Sequence, residues 1–133
     1  MTWRWINKKA LLLLHGQSLA EHGGLAGLRD EGLLDSALNR PLHLQAYAGP
    51  DAAPDLGALA ASYTVGLAKN HPFMDGNKRV AFLATGLFLY LNGHRLNASQ
   101  ADATLTILAV ASGEMNESDY AAWLRRHALP RRP

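Results

Sequence analysis

The 133-residue chain has no cysteine, which excludes a disulfide framework and a thiolate metal site and is compatible with a reducing compartment. Charge is sparse: Asp, Glu, Lys and Arg together make up 18% of the residues, and the formal net charge is only +2. The sequence pI lies above neutrality, yet no long basic run accompanies it. The densest basic groups, Arg125-Arg126 and Arg131-Arg132, stand near the C-terminal end and read as a solvated tail, not a nucleic-acid patch. Long hydrophobic runs are missing too. Arg4, Lys8 and Lys9 precede Leu11 to Leu14 in the manner of a signal peptide. That run stops at His15-Gly16-Gln17, short of the ~7–15 apolar residues such a segment needs. The longest apolar stretch, Val80 to Leu91, contains Thr85 and Gly86 and falls below the ~18 residues of a membrane span. A soluble, cytoplasmic protein with no membrane association and no direct nucleic-acid binding is expected.

What is present is a core-building composition. Apolar residues reach 48%, which suits one globular domain over residues 1–133 with a single core. No internal repeat or low-complexity segment interrupts it, and the periodicity is helical almost throughout. A first helix is expected over Lys8 to His22, stopped by Gly23-Gly24. Asp30 can cap a second, carrying Leu33, Leu34, Ala37 and Leu38 at helical spacing until Pro41 ends or kinks it. After the connection Gly49 to Pro54, Asp55 can cap a third helix that reaches Lys69. A fourth, from Gly76-Asn77 to Asn92-Gly93, is apolar nearly all round and is expected to be the buried centre, with Gly86 allowing a neighbour close. A fifth spans Gln100 to Ser112, and Ser118 can cap a sixth ending near His127. Only Trp3 to Ile6 and Arg95 to Asn97 read as extended. The expected fold is all-α: about six helices around one central buried helix.

Between the third and fourth helices lies the loop that can do chemistry, His71-Pro72-Phe73-Met74-Asp75-Gly76-Asn77-Lys78-Arg79. Taken singly, these residues have plain readings. His71 is a helix-end residue, Asp75 an N-cap, Lys78 and Arg79 a solvated face, Asn77 a turn residue, and Phe73 a core anchor stiffened by Pro72. Taken together they form something else. The first turn of a helix has unpartnered N–H groups and a dipole that favours negative charge. Gly76 lets an anion approach that backbone, and Lys78 and Arg79 add two cations where they oppose the dipole unless an anion such as phosphate is bound. Asp75 supplies a hard oxygen of the kind that holds Mg²⁺ beside phosphates. A histidine such as His71 can take a proton from a hydroxyl near neutral pH. These are the parts of a phosphoryl or nucleotidyl transferase.

The same run resembles the signature of the Fic/Doc family, H-x-F-x-[D/N]-[A/G]-N-K-R in its Doc (death-on-curing) form, and matches every specified position. Gly23 to Gly27, Leu33 to Leu38 and Arg40-Pro41 are similar to the region that precedes the motif in Doc-like proteins, so the likeness covers most of the chain. The resemblance implies a toxin of a toxin–antitoxin pair. Such a toxin is a kinase that moves the γ-phosphoryl group of ATP to a threonine of elongation factor Tu and halts translation. It implies His71 as general base and Asp75 as ligand of magnesium. Gly76, Asn77, Lys78 and Arg79 would hold the nucleotide phosphates, with Lys78 and Arg79 also serving catalysis, and a Phd-like antitoxin would be the inhibitor. The AMP-transferring Fic branch continues its motif as G-N-G-R-x-x-R. Here Lys78 replaces the second glycine and Phe82 the final arginine, so a nucleotide is expected to bind differently. No S/T-x-x-x-E-[G/N] inhibitory helix is found, which favours regulation by a separate partner. The alternatives are AMP transfer, or an inert interaction module that kept the fold.

Overall fold

In a computed structural model that describes residues 2–132, six α-helices and a minute sheet follow one another. They are α1 (Lys8–His22), α2 (Glu31–Tyr47), α3 (Leu56–Asn70), α4 (Asn77–Leu91), β1 (His94–Leu96), α5 (Gln100–Ser112), α6 (Glu117–His127) and β2 (Ala128–Pro130), with a short 3-10 turn at Pro50–Ala52. The all-α expectation is borne out.

Side-chain oxygens set where most of these helices begin. Asn7 accepts from the Lys9 amide at 2.8 Å, Asp30 from Leu33 at 2.9 Å, and Asp55 from Ala58 at 2.9 Å. Ser99 accepts from Asp102 at 3.0 Å and Asn116 from Asp119 at 2.8 Å. Each such cap is worth about 1 kcal/mol. The sixth helix is thus capped by Asn116, two residues before the expected Ser118, which lies inside the first turn. Pro41 does not end α2. It sits buried in the helix interior, and the chain stays helical to Tyr47 because packing of that face outweighs one missing N–H.

The buried centre is α3, not α4. Leu59, Ala60, Ala61, Tyr63, Thr64, Leu67 and Ala68 of α3 are all fully buried, whereas α4 leaves Tyr90 exposed and Phe82, Leu83 and Leu87 only half covered. Helices α2, α4, α5 and α6 all pack on α3. Close approach occurs at its glycines. A Cβ on Gly57 would lie 3.1 Å from the Ala121 carbonyl of α6, and one on Gly66 would lie 3.4 Å from the Ala37 Cα of α2. At Gly86, where a close neighbour was expected, a Cβ would meet nothing within 4 Å.

Of the two segments read as extended, one pairs. His94–Leu96 runs antiparallel to Ala128–Pro130, Arg95 facing Leu129. Trp3 to Ile6 forms no strand. Instead the Asn92 side chain accepts from the Arg4 N–H and donates to the Arg4 carbonyl, both at 3.0 Å. The buried apolar side chains, Ala103 apart, form one continuous cluster among the described residues. No helix among the described residues is long and apolar enough to cross a membrane.

Candidate active site

Asn70 closes α3 and the next residue, His71, takes left-handed backbone angles of φ 48° and ψ 56°. It is the one non-glycine residue with positive φ among those described. Histidine tolerates this region better than most side chains, but the turn still needs outside support. Arg29 supplies it. Its Nε donates to the His71 carbonyl at 2.6 Å and its Nη2 to the Asn70 carbonyl at 2.7 Å, placing a cation on the free carbonyls at the C-terminus of α3. The backbone before α2 then runs alongside the loop. The Arg29 and Asp30 amides donate to the Pro72 carbonyl at 2.7 and 3.0 Å, and Met74 N–H donates to the Gly27 carbonyl at 3.0 Å. One antiparallel bridge pairs Leu28 with Phe73.

Beyond Phe73 the loop turns into α4. The Asn77 side chain clasps the Phe73 backbone from both ends, accepting from its N–H at 2.9 Å and donating to its carbonyl at 3.0 Å. One Nδ2–H and one lone pair of that amide are engaged, so Asn77 keeps a second amide N–H and its backbone N–H to offer a ligand. Gly76, at φ 75° and ψ 21°, is the N-cap and has no side chain to cap with. Among the described residues α4 is the one α-helix that begins without a side-chain cap. Its first-turn amides are left for an anion. Lys78 and Arg79 are exposed there, and neither makes a hydrogen bond or ion pair among the described residues.

The Asp75 carboxylate is exposed but oriented. One oxygen accepts from Gly76 N–H at 2.9 Å and the other from Leu25 N–H at 3.2 Å. A Cβ on Gly24 would come within 2.9 Å of that second oxygen, so the glycine that follows α1 is also the seat of the carboxylate. A carboxylate has about four lone-pair sites, and two remain free. No cluster of three or more His, Asp or Glu side chains able to hold a metal occurs among the described residues. The donor set therefore fits an ion that takes one carboxylate and finds its other oxygens on phosphates and water, as Mg²⁺ does.

An open cleft of about 460 Å³ lies against this loop, with His71 and Lys78 on one wall and Leu105, Leu108 and Ser112 of α5 on the other. The two leucines are 67% and 45% exposed. The structure thus gathers His71 and Lys78 in one cavity. Asp75, Asn77 and Arg79 do not line it, and Asp75 faces the Gly24-Leu25 turn instead.

Two supporting residues escaped the sequence reading. Arg29 stands just ahead of a recognisable cap and carries no pattern of its own. His15 looked like the break in an apolar run, yet it is buried on the same face of α1 as Leu11 and Ser18, at helical spacing. That spacing was the available signal.

The Fic/DOC family model matches residues 5–89, which contain α1 to α3, the loop and most of α4. The chain belongs to the Fic/DOC family. Within it the Doc branch is the one matched. The chain is 37% identical over 123 residues to the protein kinase doc of Escherichia phage P1, covering 92% of this chain and 94% of that protein. It is also 47% identical over 76 residues to Toxin Doc of Mycolicibacterium smegmatis, covering 57% of each. The matched span includes the loop His71 to Arg79 together with Arg29, Gly24 and His15, which hold it.

Proposed function

We propose that this Doc-branch protein is the toxin of a toxin–antitoxin module and acts as a serine/threonine protein kinase in the cytoplasm. It transfers the γ-phosphoryl group of ATP to a hydroxyl of a translation factor, with elongation factor Tu as the expected acceptor and a Phd-like antitoxin as the expected inhibitor. The observation that carries the reading is the opening of α4. It has an uncapped first turn and two cations that have no partner among the described residues, and an exposed imidazole shares a cleft with one of them. Similarity along 92% of the chain to a phage protein named as a kinase supports the same choice.

In this reading the acceptor oxygen bonds to the γ-phosphorus while the bond from that phosphorus to the β–γ bridging oxygen breaks. The hydroxyl proton passes to His71 and ADP leaves. Backbone N–H groups of the first turn of α4, from Asn77 onward, with the Lys78 and Arg79 side chains, hold the phosphate oxygens and offset the charge that develops on them. Asp75 would hold magnesium, which would supply charge neutralisation for the phosphates. Lys78 occupies the position where the AMP-transferring motif has glycine, which supports a nucleotide held differently from theirs.

The test is a pair of labels. With Mg²⁺ and translation extract, ATP labelled at the γ-phosphorus is expected to label a protein, and ATP labelled at the α-phosphorus is not. Label arriving from the α-position would make the protein an AMP transferase. Transfer from neither, with a partner still bound, would make it an inert interaction module.

A further inference from the structure

We propose that His15, far from the signature loop in sequence, is a positioning residue of the active site and acts through its Nε2–H. The inference rests on the kinase reading above for its consequence in turnover, but its geometry stands apart from it. His15 is 4% exposed, on the face of α1 that the loop covers. Its ring lies against that of Phe73, centroids 3.7 Å apart and planes inclined by 14°. Its Nε2 is 2.8 Å from the Asp75 carbonyl oxygen. A carbonyl can only accept, so Nε2 carries the proton in this contact, in either the neutral Nε2–H tautomer or the imidazolium.

The bond falls at the most sensitive point of the loop. Asp75 carries the oriented carboxylate, and its carbonyl belongs to the peptide that leads into Gly76, where α4 and its free amides begin. The carboxylate is held from the Leu25 side. The backbone beneath it is held from the α1 side by His15. A Cβ on Gly76 would stand 3.4 Å from Leu19 Cδ2 and 3.6 Å from His15 Nε2, so the turn lies directly on α1. Without the donor, the Asp75–Gly76 peptide is free to rotate. The carboxylate and the first amide of the anion site then lose their common reference. Groups that orient a ligating or reacting residue from behind typically change activity by about 10–100-fold when removed.

The ring and the donor can be separated. His15→Phe keeps an aromatic ring against Phe73 and removes the N–H. His15→Gln removes the ring and keeps an amide N–H of similar reach. If the donor positions the loop, His15→Phe loses roughly 10–100-fold in kcat for γ-label transfer, with a smaller change in KM for ATP, and His15→Gln regains most of it. A second readout needs no nucleotide and no activity. The 15N resonance of Gly76, bonded to the Asp75 carbonyl carbon, shifts in His15→Phe and returns toward the wild-type position in His15→Gln. Should the wild type transfer no label at all, the kinase reading fails, while this resonance still decides the role of His15. The proposal is overturned if His15→Phe leaves turnover and the Gly76 resonance unchanged. It is equally overturned if His15→Gln is as impaired as His15→Phe in both, or if it unfolds, since the ring would then be what matters. A His15→Phe variant that unfolds beside a folded His15→Gln with the native Gly76 resonance supports it.

Discussion

His71 combines two properties that rarely meet in one side chain: it is free at the surface of the cleft, and its backbone sits where L-residues are strained. Strain of this sort persists when the surroundings over-determine it, and here Arg29 binds the two carbonyls at the turn. Activity and stability should therefore separate at this position. His71→Ala and His71→Gly both remove the imidazole, so both are expected to abolish γ-phosphoryl transfer. They differ in backbone cost. Alanine keeps a Cβ in the left-handed region and glycine does not, so the glycine variant is expected to be more stable by roughly 0.5–1 kcal/mol even after its larger unfolded-state entropy. Urea midpoints of the two inactive proteins check this. A glycine variant less stable than the alanine variant would mean that the turn is unstrained.

Among the elements, the junction of α3 with α6 has a defined electrostatic fastening. Asp55 caps α3 with one oxygen and takes both Nε and Nη2 of Arg125 on α6, at 2.7 and 3.0 Å. The Arg125 guanidinium, foremost, holds the Asp55 carboxyl below its ordinary value of 3.8. Because the folded pKa is depressed, the stability Asp55 contributes is complete above that ordinary value and is lost as pH falls through the folded one. Both partners are about half exposed, so the ion pair itself is worth little and the cap carries most of the effect. Asp55→Asn keeps a good cap, and is expected to lie within a few tenths of a kcal/mol of the wild type at pH 7 and to show a flatter melting temperature from pH 5 to pH 3. Asp55→Ala is expected to cost about 1 kcal/mol at pH 7. Equal losses in the two variants would transfer the credit from the cap to the ion pair. The position of this cap was legible in the sequence, because an Asp before a periodic apolar run has one obvious use. The cap of α6 was less so. Asn116 and Ser118 are both good caps, and which hydroxyl or amide reaches an amide three residues on depends on where the turn from Gly113 delivers the chain. The loop His71 to Arg79 stood out in the sequence for the opposite reason, since each residue type there is costly or idle unless the others are present. Its scaffolding was not. Arg29 and His15 act across 42 and 60 positions of sequence, and no local pattern reports a contact of that range.

For the molecule as a whole, side-chain bulk misidentified the centre. Helix α4 carries the bulkier apolar side chains, among them Phe82, Leu83, Leu87 and Phe88. Helix α3 has the small residues Gly57, Ala60, Ala61 and Gly66, which let neighbours close over it. Burial follows how many elements can approach, not how bulky the helix's apolar side chains are. The same crowding encloses a polar ladder that ties three helices together. Thr64 donates to the Ala60 carbonyl at 3.0 Å, so its single proton is spent and Thr85 must donate to it. Thr85 is then left accepting, and Tyr120 of α6 donates to it at 2.7 Å. Tyr120 must therefore stay neutral, and burial pushes its hydroxyl up from 10.0 to about 12. Tyrosine loses its proton at lower pH in the unfolded chain than in the folded one, so stability due to Tyr120 is complete below pH 10.0 and declines as pH rises toward about 12. Tyr120→Phe is expected to cost about 1 kcal/mol at pH 7, the usual net worth of such a bond, with an unchanged urea m-value. The deficit should then shrink from pH 10 upward, because the wild type alone loses this contribution. Some alkaline weakening will persist in the variant, since burial also raises the pKa of Tyr63, whose hydroxyl accepts from Ile6 N–H. Urea titrations of both proteins at pH 7, 10 and 11 decide the matter. A deficit that stays constant across that range would mean that Tyr120 ionises in the folded protein as easily as in the unfolded chain, and that the three helices are not joined by its proton.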